Sequence, residues 1–150
     1  MAKFVYRMQN ILDVNTKLET QAKNEFAVQS ARVAEEEQRL AAYEERALAY
    51  RVKLKELSTG ELDTFKIKET QAAIDSMKYV IDRQKIQLAH ENKILEEKRI
   101  ALSEARQEVR THEKLKEKQF LQFMAEEAAK ESKEIDELVS YRFGSLKEQG

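Results

Sequence analysis

The residue types that most often carry chemistry are sparse in this sequence. His90 and His112 are its two histidines, about six turns apart if they share a helix. There is no cysteine, so there is no thiolate and no disulfide. Glu35-Glu36-Glu37 and Glu44-Glu45 are the acidic runs a metal would seek, but charged runs on a helix read as solvated faces. Ser58-Thr59-Gly60-Glu61 lacks the glycine spacing and the lysine of a phosphate loop and reads as a capped turn. Catalysis needs convergent groups in a dry concavity, and these residues do not supply one. The sequence reads as non-enzymatic, with no catalytic residue, no metal, no cofactor and no small-molecule ligand.

The elements that would position these residues are helices. Among 150 residues there is no proline and no tryptophan, only three glycines, and 37% of the chain is charged. Proline breaks helix interiors and glycine weakens them, so their scarcity favours long helices. The aromatic content is too low to fill one compact domain. Net charge is −1, which gives no global basic field for nucleic acid or membrane. The basic residues Arg106, Arg110, Lys114, Lys116 and Lys118 alternate with Glu108, Glu113 and Glu117, a pattern of intrahelical ion pairs. Nucleic acid is therefore not expected as a partner. No apolar run approaches the roughly 18 residues of a membrane span. The first residues lack the apolar core of a secretory signal, and a cytoplasmic location is expected.

The clearest pattern lies in residues 74–109. Ile74, Ile81, Leu88, Leu95, Leu102 and Val109 recur at every seventh position, the a row of a coiled-coil seam. The d row is mixed: Met77, Gln84, Glu91, Lys98, Ala105 and His112. Upstream, Phe4, Met8, Ile11, Leu18 and Ala22 suggest a first apolar phase interrupted at Asn15. A stutter at Ala22 to Phe26 would then lead into a second phase. There Phe26, Val33, Leu40, Ala47 and Leu54 occupy a, with Tyr43, Tyr50 and Leu57 at d. Gly60 can end a helix in the left-handed conformation, and Ser58 with Glu61 has capping-box spacing. Leu62, Phe65 and Ile67 are expected as apolar plugs near the turn.

The expected fold is all-α, a long antiparallel two-helix coiled-coil hairpin with a C-terminal helical overhang. It is read as a single elongated domain over 1–150, with a helix over about 3–57, a turn over about 58–62 and a helix over about 63–143. A turn near residue 60 brings Tyr43 and Tyr50 to Ile74, Met77 and Ile81, and brings Phe4 to Phe120. The paired rod would be about 80 Å long. Beyond Phe120 the apolar residues of the second helix, Leu121, Phe123, Met124, Ile135 and Leu138 among them, have no partner within the chain. Val52, Tyr79, Ile86 and Ile100 fall at f, opposite the seam, and mark a protein-binding patch toward the turn, where Tyr79 and Ile86 are the residues to test.

Several segments together carry a resemblance. The opening Phe4-Val5-Tyr6-Arg7-Met8-Gln9-Asn10-Ile11-Leu12-Asp13 and Gln21-Ala22-Lys23-Asn24-Glu25 resemble the start of the flagellar FliJ family. Tyr50-Arg51, Glu113-Lys114-Leu115-Lys116-Glu117-Lys118 and Lys133-Glu134-Ile135-Asp136-Glu137-Leu138 resemble its later parts. The resemblance implies a component of the flagellar type III protein export apparatus, likened to the central stalk of rotary ATPases. The implied partners are the hexameric export ATPase ring, the cytoplasmic domain of the export gate and export chaperones. Tyr43, Tyr50, Met77 and Val80 match family gate contacts. Engagement of the ATPase by the termini end points to Phe4, Arg7, Met8, Ile11, Phe120, Phe123, Met124, Ile135 and Leu138. The implied location is cytoplasmic, associated peripherally with the inner face of the membrane through the apparatus, with a role in flagellum assembly, motility and chemotaxis. A structural coiled coil that self-associates through its overhang is the alternative reading; an amphipathic membrane-surface helix is disfavoured by the near-zero net charge.

Overall fold

A computed structural model describes residues 2–148. Met1, Gln149 and Gly150, included in the expected 1–150 domain, lie outside the described residues. The fold is an all-α helical hairpin of two helices, α1 (Gln9–Leu57) and α2 (Thr64–Glu148). The chain divides into two compact units, Thr20–Glu104 and Met1–Glu19 with Ala105–Gly150.

The first helix begins later than the expected residue 3. Residues 2–6 are irregular and residues 7 and 8 form a turn, in which the Gln9 amide donates to the Tyr6 carbonyl at 3.1 Å. The reason is visible in the side chains. Val5 is 73% exposed while Tyr6 is 4% exposed, and Phe4 is half-buried. Inward and outward residues alternate here, the period of an extended chain. A helical turn would not let Phe4 and Tyr6 both face the core.

α1 ends at a glycine-containing turn. The Ser58 and Thr59 hydroxyls donate to the Leu54 and Glu56 carbonyls at 2.8 and 2.9 Å, satisfying acceptors that a helix end leaves open. Gly60 follows with φ of 99°, a conformation that costs other L-residues strain. The start of α2 is capped by Asp63, not by the Ser58 and Glu61 pair. One Asp63 carboxylate oxygen accepts from the Phe65 and Lys66 amides at 3.1 and 3.2 Å. Leu62 and Phe65 are 66% and 76% exposed, so of the three expected plugs only Ile67 is partly buried. α2 runs on to Glu148, past the expected end near residue 143.

In the unit Thr20–Glu104 the helices are antiparallel. Lys98 meets Glu25, Glu91 meets Gln29 and Gln84 meets Glu36, so numbers fall on α2 as they rise on α1. The buried residues are Val33, Ala47, Ile74 and Leu102, interleaved with Gln29, Glu36, Thr70 and Gln84. The expected a and d rows of α2 are buried or half-buried at every position of 74–112, and Val80 and Ile94 beside them are half-buried too.

The polar seam positions form matched layers. Gln29 donates through its side-chain amide to the Glu91 backbone carbonyl at 3.0 Å and to the Glu91 carboxylate. Gln84 does the same toward Glu36, at 3.0 Å to the carbonyl and closer still to the carboxylate. The two layers thus carry the same pair with its members exchanged between helices. Arg39 adds a donor to Glu36 at 3.0 Å. Thr70 satisfies its hydroxyl within its own helix, on the Lys66 carbonyl at 2.8 Å. A buried polar group without a partner would be costly, and among the described residues no buried side-chain polar atom lacks one.

In the unit formed by Met1–Glu19 and Ala105–Gly150, pairing is also antiparallel: Phe4 lies against Phe120, and Glu19 lies 3.9 Å from Arg106. Tyr6, Leu12 and Val109 form the core cluster, with Phe4, Met8 and Leu115 packed against it. The expected stutter is absent. From Met8 in the turn into α1 the inward residues run Met8, Leu12, Asn15, Glu19, Ala22 and Phe26, alternating steps of four and three without a change of phase. Ile11 and Leu18, expected in the seam, are 47% and 51% exposed. Leu12 and Glu19 hold those seam positions instead, and Asn15 is half-buried at the expected polar interruption.

Candidate partner interfaces

The residues singled out by sequence fall into two sets, each inside one unit. Near the termini, Phe4 is anchored. Its ring meets Phe120 edge-on with centroids 5.3 Å apart and tilts onto Phe123 at 5.5 Å. Met8 is half-buried in the same cluster, and Tyr6 places its hydroxyl 3.4 Å from His112 Nδ1. These contacts pin the extended N-terminal segment to α2. Phe4, Met8 and Phe123 therefore serve packing first. Arg7, Ile11, Phe120, Met124, Ile135 and Leu138 are exposed and available. Phe4, Leu12, Glu113, Lys116, Glu117 and Phe120 line a shallow open groove.

Beyond Phe123, α2 presents a surface with no α1 beside it. Residues 131–146 are exposed without exception. At 100° per residue Leu121, Met124, Ala128, Ile135, Leu138, Val139 and Leu146 share one arc, roughly 100° wide. The a and d frame of the seam, carried forward, meets Lys130, Lys133 and Glu137 instead. The apolar face of distal α2 is thus turned away from the seam. A second exposed stripe was missed by sequence reading: Ile11, Val14 and Leu18 lie side by side on α1, with Val14 at 56% exposure. Continuing the frame of Phe26 backwards in sevens to Leu12 would have found it.

In the unit containing the turn, the six expected residues separate by burial. Tyr43, Tyr50, Met77 and Val80 are half-buried, whereas Tyr79 and Ile86 are 61% and 71% exposed. The register set by Gln84 and Glu36 brings Tyr43 level with Met77 and Tyr50 level with Thr70. Tyr43, Tyr50 and Met77 are seam residues with one edge open. Tyr79 and Ile86 are outward. Arg83 sits between them, donating to the Tyr79 hydroxyl at 3.1 Å, its guanidinium carbon 5.8 Å from the ring centre. Val52 and Ile100, also expected outward, are 50% and 45% exposed.

Charge on these surfaces is paired at long side-chain ends. Glu25 binds Lys98 across the seam at 3.1 Å, and Arg99 binds Glu96 one turn away at 2.6 Å. The Lys98 hydrogen bond holds the Glu25 carboxyl below its usual range, and Arg99 does the same for Glu96. Glu96 in turn raises the Arg99 guanidinium. Among the described residues no cluster of three or more His, Cys, Asp or Glu side chains could hold a metal. Among them also, no helix is long and apolar enough to cross a membrane.

The family model described as Flagellar FliJ protein matches residues 4–148. The chain belongs to the flagellar FliJ family. The match spans both units, from the pinned Phe4 segment to the end of α2, and makes the chain a component of the flagellar export apparatus. No curated protein and no solved structure gives a significant match to it. FliJ membership fits a molecule built of seam and surface: the family is one of export components, not of enzymes.

Proposed function

We propose that this FliJ-family chain is an export adaptor that docks on the hexameric export ATPase through the surfaces near its termini. The observation that carries this reading is the apolar arc of distal α2, exposed at Ile135 and Leu138 beyond the last contact with the N-terminal segment. An apolar helical face on a charged molecule is a surface for another protein. Met124 belongs to the same arc, and the exposed Arg7, Ile11 and Phe120 offer further surface in the same unit.

The unit containing the turn contacts the cytoplasmic domain of the export gate. Tyr79 and Ile86 lead that contact because they are outward; Tyr43, Tyr50, Met77 and Val80 offer only their open edges. Chaperones with their export cargo use the same exposed faces. The chain acts as a shaft and needs no chemistry of its own, so any effect on ATP hydrolysis comes from binding the ring. It works in the cytoplasm, held at the inner face of the membrane by its partners.

Affinity capture of the whole chain from flagellated cells tests this reading. Recovery of the export ATPase and the gate subunit supports it. A chain that returns alone, with its helicity intact, contradicts it.

A further inference from the structure

The apolar arc of distal α2 has an internal symmetry. Its two charged members are Glu131 and Arg142, opposite in sign. Its central apolar members are Ile135 and Leu138, 58% and 64% exposed. Glu131 precedes Ile135 by four residues, and Arg142 follows Leu138 by four. Reversing the helix about the point midway between Ile135 and Leu138 exchanges those two residues and exchanges Glu131 with Arg142. All four lie within about 60° of helix circumference at 100° per residue.

We propose that two copies of this chain pair antiparallel through this arc, with the two-fold axis between Ile135 and Leu138. Ile135 of each copy packs on Leu138 of the other. Glu131 of each copy faces Arg142 of the other, so two ion pairs flank an apolar centre. A two-fold interface must be self-complementary in this way, each residue meeting its symmetry partner. Charges beside an apolar centre select orientation and partner. In a parallel pairing Glu131 would meet Glu131 and Arg142 would meet Arg142, so the same residues select against it.

α1 does not lie against this arc: it begins at Gln9, and Phe4 ahead of it packs on Phe123. α2 is one continuous helix, and about 1.5 Å per residue carries Ile135 roughly 18 Å further on. The proposal does not rest on the ATPase reading. Where both hold, self-pairing and docking on the ring use the same Ile135 and Leu138 and exclude each other.

Sedimentation of the purified full-length chain, over roughly 1 to 100 µM, tests the proposal. The wild type should shift from monomer to dimer. Glu131→Arg alone, or Arg142→Glu alone, places like charges at both flanks and should weaken self-association roughly 10- to 100-fold. An equimolar mixture of the two variants should restore a heterodimer, and the double variant E131R/R142E should restore the homodimer. All four positions are exposed, so helicity should not change. A wild type that stays monomeric throughout overturns the proposal, as does a dimer indifferent to the single reversals.

Discussion

Gln84 on α2 donates its side-chain amide to both the backbone carbonyl and the carboxylate of Glu36 on α1. Both residues are 9% exposed. The contact therefore sets a level between the helices, since Glu36 is satisfied only when Gln84 arrives opposite it. Gln84→Leu should destabilise the fold by about 1–3 kcal/mol, because the carboxylate loses its cross-helix donor and keeps only Arg39. Replacing both residues by leucine should recover most or all of that loss, since an apolar pair leaves nothing unsatisfied. Chemical denaturation of the two single variants and the double variant measures the coupling. Additive losses would show that the bond contributes nothing.

The turn makes a second prediction. Asp63→Ala removes the oxygen that caps α2 and should cost about 1 kcal/mol. Gly60→Ala meets no atom within 4 Å, so its cost is conformational only, about 1–2 kcal/mol for a positive φ. Thermal unfolding by circular dichroism checks both. An unchanged midpoint for Gly60→Ala would place the backbone outside the left-handed region.

A third concerns pH. Glu25 ionises more readily when folded, chiefly because Lys98 hydrogen-bonds to it. The folded state thus binds its proton less well than the unfolded state, whose ordinary value is 4.5. Stability from this pair is present above that value and is lost as pH falls through the lower, folded value. Both side chains are exposed, so the effect is small and shrinks with salt. Glu25→Gln should flatten this part of the acid dependence; a variant that tracks the wild type throughout would remove the pair from the account.

The turn-proximal surface separates packing from binding. Tyr79→Ser with Ile86→Ser should reduce binding to the gate domain and leave the unfolding midpoint in place, because both side chains are outward. Tyr43→Ala with Tyr50→Ala should lower the midpoint as well, since both tyrosines are half-buried in the seam. Calorimetric titration alongside melting curves distinguishes them. Gate binding that survives loss of Tyr79 and Ile86 would move the contact elsewhere.

The sequence was most legible where one row was wholly apolar. From Ile74 to Val109 the a row names the buried face unaided, and the mixed d row follows from it. It was least legible at the start of α1. There Leu18 outcompetes Glu19 on hydropathy and Ile11 is as apolar as Leu12, although continuity of phase with Phe26 places Leu12 and Glu19 inward. Glu19 is tolerable at the seam because Arg106 lies beside it, a cross-helix relation that no local pattern encodes. The extended segment was hidden for a similar reason: Phe4 and Met8 have helical spacing, but Tyr6 between them is more deeply buried than either. The exposed apolar arc beyond Phe123 was visible as unpartnered apolar content. Its turn away from the seam emerged once the frame was carried through Lys130, Lys133 and Glu137.

The proposed docking of the export ATPase on distal α2 rests on Ile135 and Leu138. A binding titration of the full-length chain against the purified ATPase tests it most directly, comparing wild type with the variant Ile135→Ser/Leu138→Ser. Both positions are exposed, so the variant should remain as helical as the wild type. Saturable binding by the wild type, weakened roughly 10-fold or more in the variant, is the expected result. Equal binding by the two chains would contradict the account.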